Sequence, residues 1–172
     1  MILLDATAFS LLVNPNSTLP TDPNTNAPVA NISGRFSFLE AQIQKSNETI
    51  LIPTPALAEV LVSLEDAAPL VIGKINSSAR FKIVVFDTLA AVELAAMTRE
   101  AIRLGNKKQG SIEPWQKVKY DRQIIAIARV NQVKRIYSDD IGVKYFAELI
   151  GLPVTQTWEM PLPPEDPQGG LF

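Results

Sequence analysis

The 172 residues contain no cysteine and no histidine. Without thiols there is no disulfide framework, thiolate nucleophile, zinc ribbon or iron–sulfur cluster. Without imidazole there is no Ser-His-Asp triad, no HExxH zinc helix and no histidine proton shuttle. Long apolar runs are missing too. Stretches such as residues 83–86 fall far short of the roughly 20 residues that a membrane helix needs. No basic segment leads into an apolar one at the amino end, where Met1-Ile2-Leu3-Leu4 is followed at once by Asp5. The expectation is a cytoplasmic protein that does not enter a membrane. Any chemistry has to run on carboxylates, hydroxyls, amines, tyrosines or a hard metal ion held by oxygen ligands.

What is present suits one compact core, since 47% of the residues are apolar and 20% charged. The net charge is only −2, but residues 99–135 hold ten of the sixteen Lys and Arg and three acids, so that stretch carries +7 and the remainder −9. A basic block on an acidic chain suits a polyanion, or it is simply the solvated face of two helices.

Short β-branched runs alternate with longer helical stretches, which predicts a three-layer α/β/α sandwich around a parallel sheet of about five strands. Candidate strands cover residues 1–4, 49–52, 82–86, 135–138 and 153–155. Thr54 before Pro55 reads as an N-cap, followed by Leu57, Val60, Leu61 and Leu64 at helical spacing. Asp87 or Thr88 is expected to cap a helix running to Gly105, with further helices over 114–132 and 141–150 and Gly151 as the stop. Residues 14–33, with four prolines and five asparagines, read as an excursion within the first crossover. Residues 156–172, with four prolines and three acids, read as an extended acidic tail after a single domain over 1–155.

Four acids stand out by position. Asp5 follows the first candidate strand, Glu59 lies in the helix after the second, Asp121 heads the stripe Ile124, Ile125 and Ala128, and Asp140, beside Asp139, ends the fourth strand. Ligands in open α/β sheets bind outside the carboxyl ends of the strands, so these carboxylates are placed to converge. Such a group repels itself unless a cation compensates, and Mg²⁺ or Mn²⁺, as one or two ions, would suit its oxygen ligands and clamp a phosphodiester. Each acid also has a plainer reading. Asp5 and the Asp139–Asp140 pair can be caps, Glu59 can face solvent, and Asp121 can be an acid favoured by a helix amino end.

In order along the chain, Leu3-Leu4-Asp5-Ala6-Thr7, Ile52-Pro53-Thr54-Pro55-Ala56-Leu57-Ala58-Glu59, Asp121-Arg122-Gln123-Ile124-Ile125-Ala126-Ile127-Ala128 and Ile136-Tyr137-Ser138-Asp139-Asp140 resemble the acidic segments of PIN-domain ribonucleases. The resemblance spans nearly the whole chain and implies sheet order 3-2-1-4-5 and a Mg²⁺ or Mn²⁺ site. It also implies RNA cleavage leaving a 5′-phosphate, and for many small bacterial members a VapC-type toxin silenced by a VapB-type antitoxin. By matching positions, Asp5, Glu59, Asp121 and Asp140 would be catalytic and bind metal, with Asp139 as an additional candidate ligand and Thr7 and Ser138 as supporting hydroxyls. Lys107, Lys108, Lys117, Lys119 and Arg122 are expected to contact RNA phosphates, and a homodimer is a further candidate assembly. Ala6, the 14–33 insertion and the tail depart from the family pattern. The alternative function is a non-catalytic RNA- or protein-binding module of the same fold. A third, an aspartyl-phosphate enzyme or receiver, lacks the aspartate two residues after Asp5, where Thr7 stands.

Overall fold

The computed structural model describes residues 1–14 and 17–164. Its elements in chain order are β1 (Ile2–Leu4), α1 (Ala6–Val13), β2 (Thr21–Asp22), β3 (Ala27–Pro28), α2 (Ile32–Ser46), β4 (Ile50–Pro53), α3 (Thr54–Leu64), α4 (Ala68–Ser77), β5 (Phe81–Val84), α5 (Thr88–Arg103), α6 (Trp115–Val130), β6 (Arg135–Tyr137), α7 (Ile141–Glu148) and β7 (Val154–Thr155). All five predicted strands are present, in the order β5-β4-β1-β6-β7 with every neighbouring pair parallel. Numbered within that sheet, the order is the expected 3-2-1-4-5.

The strands are short, and the central β1 and β4 are buried on both faces because side chains alternate across the sheet. Ile2, Leu4, Ile50 and Ile52 point into one core with Phe9, Phe36, Leu39, Ile43 and Val60, beneath α1 to α4. Leu3, Leu51 and Ile136 point into the other, with Ile124, Ile125, Ile127, Val143 and Phe146 of α6 and α7. Each such side chain removed from water contributes about 1.5–3 kcal/mol, so a three-residue strand is held by its two flanking layers more than by its own ladder.

Several local expectations change. Pro53, not Thr54, is the N-cap of α3, and Thr54 Oγ1 instead accepts a hydrogen bond from the Phe86 amide at 3.4 Å. Of the two residues expected to cap α5, it is Asp87 that does so, accepting from the Ala90 amide. The 14–33 segment, of which Pro15 and Asn16 lie outside the described residues, contains the β2–β3 hairpin. It then buries Val29 and Ile32 and enters α2 through Asn31, whose side chain accepts from the Gly34 amide. The segment read as tail begins as packed chain. Gln156, Thr157 and Met160 are buried, a capping box closes the turn Thr157–Glu159, and Arg35 donates to the carbonyls of Trp158 and Met160. Residues 165–172 of the expected tail lie outside the described residues. Among the described residues no helix is long and apolar enough to cross a membrane.

Candidate active site

Three carboxylates reach one cavity at the carboxyl end of the sheet, each brought by a different element. β1 ends at Leu4, and Asp5 turns the chain into α1 by accepting from the Ala8 amide at 3.0 Å. β6 ends at Tyr137, and Asp140 caps α7, its Oδ1 accepting from the amides of Gly142 at 2.7 Å and Val143 at 3.2 Å. Asp121 comes from the second turn of α6, on the face that buries Val118, Ile124 and Ile125. The cavity, of about 430 Å³, is lined by these three together with Glu59, Thr7, Gln116, Lys117 and Tyr120. Glu59 is exposed at its margin.

Both hydroxyls expected near the acids are there. Thr7 Oγ1 donates to Asp5 Oδ1 at 2.7 Å and Ser138 Oγ donates to Asp5 Oδ2. They also tie the segments after β1 and β6 together, through the Ser138–Asp5 bond and through Thr7 Oγ1, which accepts from the Asp139 amide at 2.9 Å, while Ser138 Oγ accepts locally from the Asp140 amide at 3.0 Å. Burial pushes the Asp5 carboxyl up to about 7, against the pull of its hydrogen bonds from Ser138, Ala8 and Thr7 and with a small addition from the Asp140 charge. Asp121 is pushed up to about 6, first by burial and then by the Asp140 charge, with Lys117 opposing both.

Asp121 is 2% exposed, and its Oδ2 has no hydrogen-bond partner. A buried carboxylate oxygen without a partner is costly and calls for a reason, of which a bound ion is one. Gly142 lies directly against it: a Cβ on that residue would stand 2.1 Å from Asp121 Oδ2 and 3.1 Å from Asp140 Oδ1. Only hydrogen fits in that cradle. The all-oxygen donor set, the open oxygen and the cradle suit a hard divalent cation, although no three acids among the described residues stand ready as a cluster.

The other expected site residues are placed differently. Asp139 does not line the cavity; its Oδ1 and Oδ2 accept from the Thr157 amide and Thr157 Oγ1, both at 2.7 Å, and burial raises its pKa. It borders a neighbouring groove of about 550 Å³ that meets the cavity at Thr7 and Glu59 and is walled by Ser17, Thr18, Leu19 and Pro20 of the insertion. Lys107 and Lys119 are exposed, with the Lys107 ammonium 4.1 Å from the centre of the Trp115 ring. Lys108 donates to the Glu113 carbonyl at 2.8 Å. Lys117 turns inward onto Asp121 and Asp140.

Arg122 must be corrected outright as a phosphate contact, because it is 0% exposed. Its guanidinium packs over Phe146 and Trp115 and donates to Gln109 Oε1 at 2.7 Å, while Nε has no partner. The signal was in the helix register, since Arg122 shares a face with buried Val118 at i−4 and Ile125 at i+3. Two further residues also had a signal. Lys117 precedes Asp121 by four, the spacing of a helical ion pair, and Gly142 sits in the first turn of a helix, where a glycine needs a packing reason.

The fold and cavity define a PIN-like α/β/α domain with carboxylates gathered at its strand ends. No family model and no curated protein matches the sequence. Solved structures do match. One is VapBC2 from Rickettsia felis bound to a DNA fragment from their promoter, at 17% identity over 91% of this chain and 98% of that one, with a TM-score of 0.54. DNA-bound VapBC from Salmonella typhimurium matches at 16% identity over 91% and 97%, with a TM-score of 0.53. VapC20 of Mycobacterium tuberculosis, described as a sarcin-ricin loop cleaving toxin, matches at 12% identity over 85% and 95%, with a TM-score of 0.52. At these identities what is shared is the fold.

Proposed function

We propose that the protein is a metal-dependent endoribonuclease acting as the toxin of a toxin–antitoxin pair, with a VapB-type antitoxin as its partner. The observation that carries the reading is the buried, unpartnered Asp121 Oδ2, in one cavity with Asp5 and Asp140. The likeness to a fold found in VapBC complexes and in a sarcin-ricin loop cleaving toxin supports the same reading.

Asp5, Asp121 and Asp140 would hold Mg²⁺ or Mn²⁺, with Glu59 available at the rim. When bound, the ion would lower the pKa of a water and neutralise charge on the phosphate under attack. Thr7 and Ser138 orient Asp5 through the hydrogen bonds described above. Exposed Lys107 and Lys119 would steer the RNA backbone by charge, and the groove walled by the insertion extends from the cavity as a track for the strand. Purified protein should cleave RNA with Mn²⁺ and stop with EDTA, and Asp121→Asn should cut at least about 100-fold more slowly while folding normally. Equal cleavage by the variant overturns the site.

One observation favours the alternative of a non-catalytic RNA- or protein-binding module: Lys117 already pairs with two of the acids. A Mn²⁺-dependent rise in Tm, by ligand linkage, separates the two; no rise at millimolar Mn²⁺ favours the module.

A further inference from the structure

Lys117 stands one helical turn before Asp121 on α6. Its Nζ lies 3.2 Å from Asp121 Oδ1 and 2.6 Å from Asp140 Oδ2. Asp140 Oδ1 is taken by the amides that begin α7, and Asp5 is occupied by Thr7, Ser138 and the Ala8 amide. The oxygens through which Asp121 and Asp140 can share a cation are therefore largely those the ammonium holds. Of these oxygens only Asp121 Oδ2, itself buried against Gly142, has no hydrogen-bond partner.

An ammonium and a divalent ion cannot both bind that pair, because like charges a few ångströms apart in a partly buried site repel strongly. The lysine is not locked in, since its side chain is 37% exposed against 3% for Asp121, and a flexible four-carbon stem gives its charge a route to water. We propose that Lys117 is a built-in counter-ion to the acidic pair, which a divalent cation has to displace. In the metal-free protein it holds Asp121 and Asp140 together; on metal loading it gives up both carboxylates and moves toward the cavity mouth. The inference rests on the metal-dependent reading above and adds that metal affinity is set by a residue that is not itself a ligand.

Calorimetric titration with MnCl₂ tests it on wild type, Lys117→Gln, Lys117→Arg and Asp121→Asn. Lys117→Gln should bind Mn²⁺ at least about tenfold tighter than wild type, because a competing unit charge is gone. Its metal-free Tm should fall below that of wild type, and its rise with Mn²⁺ should be larger. Lys117→Arg should stay close to wild type, and Asp121→Asn should lose binding. Equal affinity of Lys117→Gln and wild type overturns the inference and leaves the metal-dependent reading standing. No Mn²⁺ binding by any of the four proteins overturns both. Should Lys117→Gln not fold, ¹³C-lysine-labelled wild type allows the same test without a substitution. The Lys117 Cε resonance should move on adding Mg²⁺, and an unmoved resonance in a protein that binds Mg²⁺ overturns the inference.

Discussion

At the scale of the residue, Asp5 joins two duties that the sequence offers as alternatives. It caps α1 through the Ala8 amide and it presents a carboxylate to the cavity. Its raised pKa has a consequence for stability. Between the ordinary 3.8 and about 7 the folded state keeps a proton that the unfolded state has released. Stability therefore falls as pH rises through that window, by up to about 1.4 kcal/mol per unit. Asp121, raised to about 6, acts in the same direction over the lower part of it. Metal-free protein should melt lower at pH 8 than at pH 5, and Asp5→Asn should flatten the pH 6–7 part of that slope in melting curves. An unchanged slope in the variant contradicts this account of Asp5.

Gly142 gives a second test at the same scale. Alanine is the better helix former by about 1 kcal/mol, but its Cβ would meet Asp121 Oδ2 at 2.1 Å. Overpacking of that kind costs about 1–3 kcal/mol, so the clash outweighs the propensity. Gly142→Ala should lower stability in urea unfolding and slow cleavage about 100-fold through displacement of Asp121. A fully active variant contradicts the cradle.

Among the elements, α7 shows how a cap and a site residue can be told apart. Asp140 begins the helix with its Oδ1 and meets Lys117 with its Oδ2. Asp140→Asn keeps the capping oxygen and should stay within about 0.5 kcal/mol of wild type in denaturant, whereas Asp140→Ala should lose about 1 kcal/mol more. Both should lose cleavage. An active Asp140→Asn would leave Asp140 as a cap only.

The strands and the acids after them are legible in the sequence because β1, β4, β5 and β6 each run into an Asp or Pro within a few residues. The helix α2 is less so, although Ile32, Phe36, Leu39 and Ile43 carry its buried face. Its start is hidden among prolines and asparagines that belong to a hairpin. The carbonyls of Trp158 and Met160 are met by Arg35, over 120 residues away. Local pattern holds no trace of such a contact. The inward turn of Lys117 is similar: spacing from Asp121 suggests one ion pair, but the second, to Asp140, exists only once α6 and α7 are packed.

At the scale of the molecule, β1 and β6 deliver Asp5 and Asp140, and α6 delivers Asp121, to one end of a sheet whose central strands are buried on both faces. The rigid frame is supplied by the two cores, and the charge that frame concentrates is more than burial alone tolerates. In the metal-free protein Lys117 offsets part of it, and on loading the proposed cation takes its place. With no imidazole or thiol in the chain, the carboxylates and their cation carry the whole of the proposed chemistry. The most direct measurement is sequencing of RNA ends from cells expressing wild type and Asp5→Asn side by side at matched protein levels. The account predicts new 5′-phosphate ends at defined positions with wild type and none of them with Asp5→Asn; the same ends in both, or in neither, would contradict it.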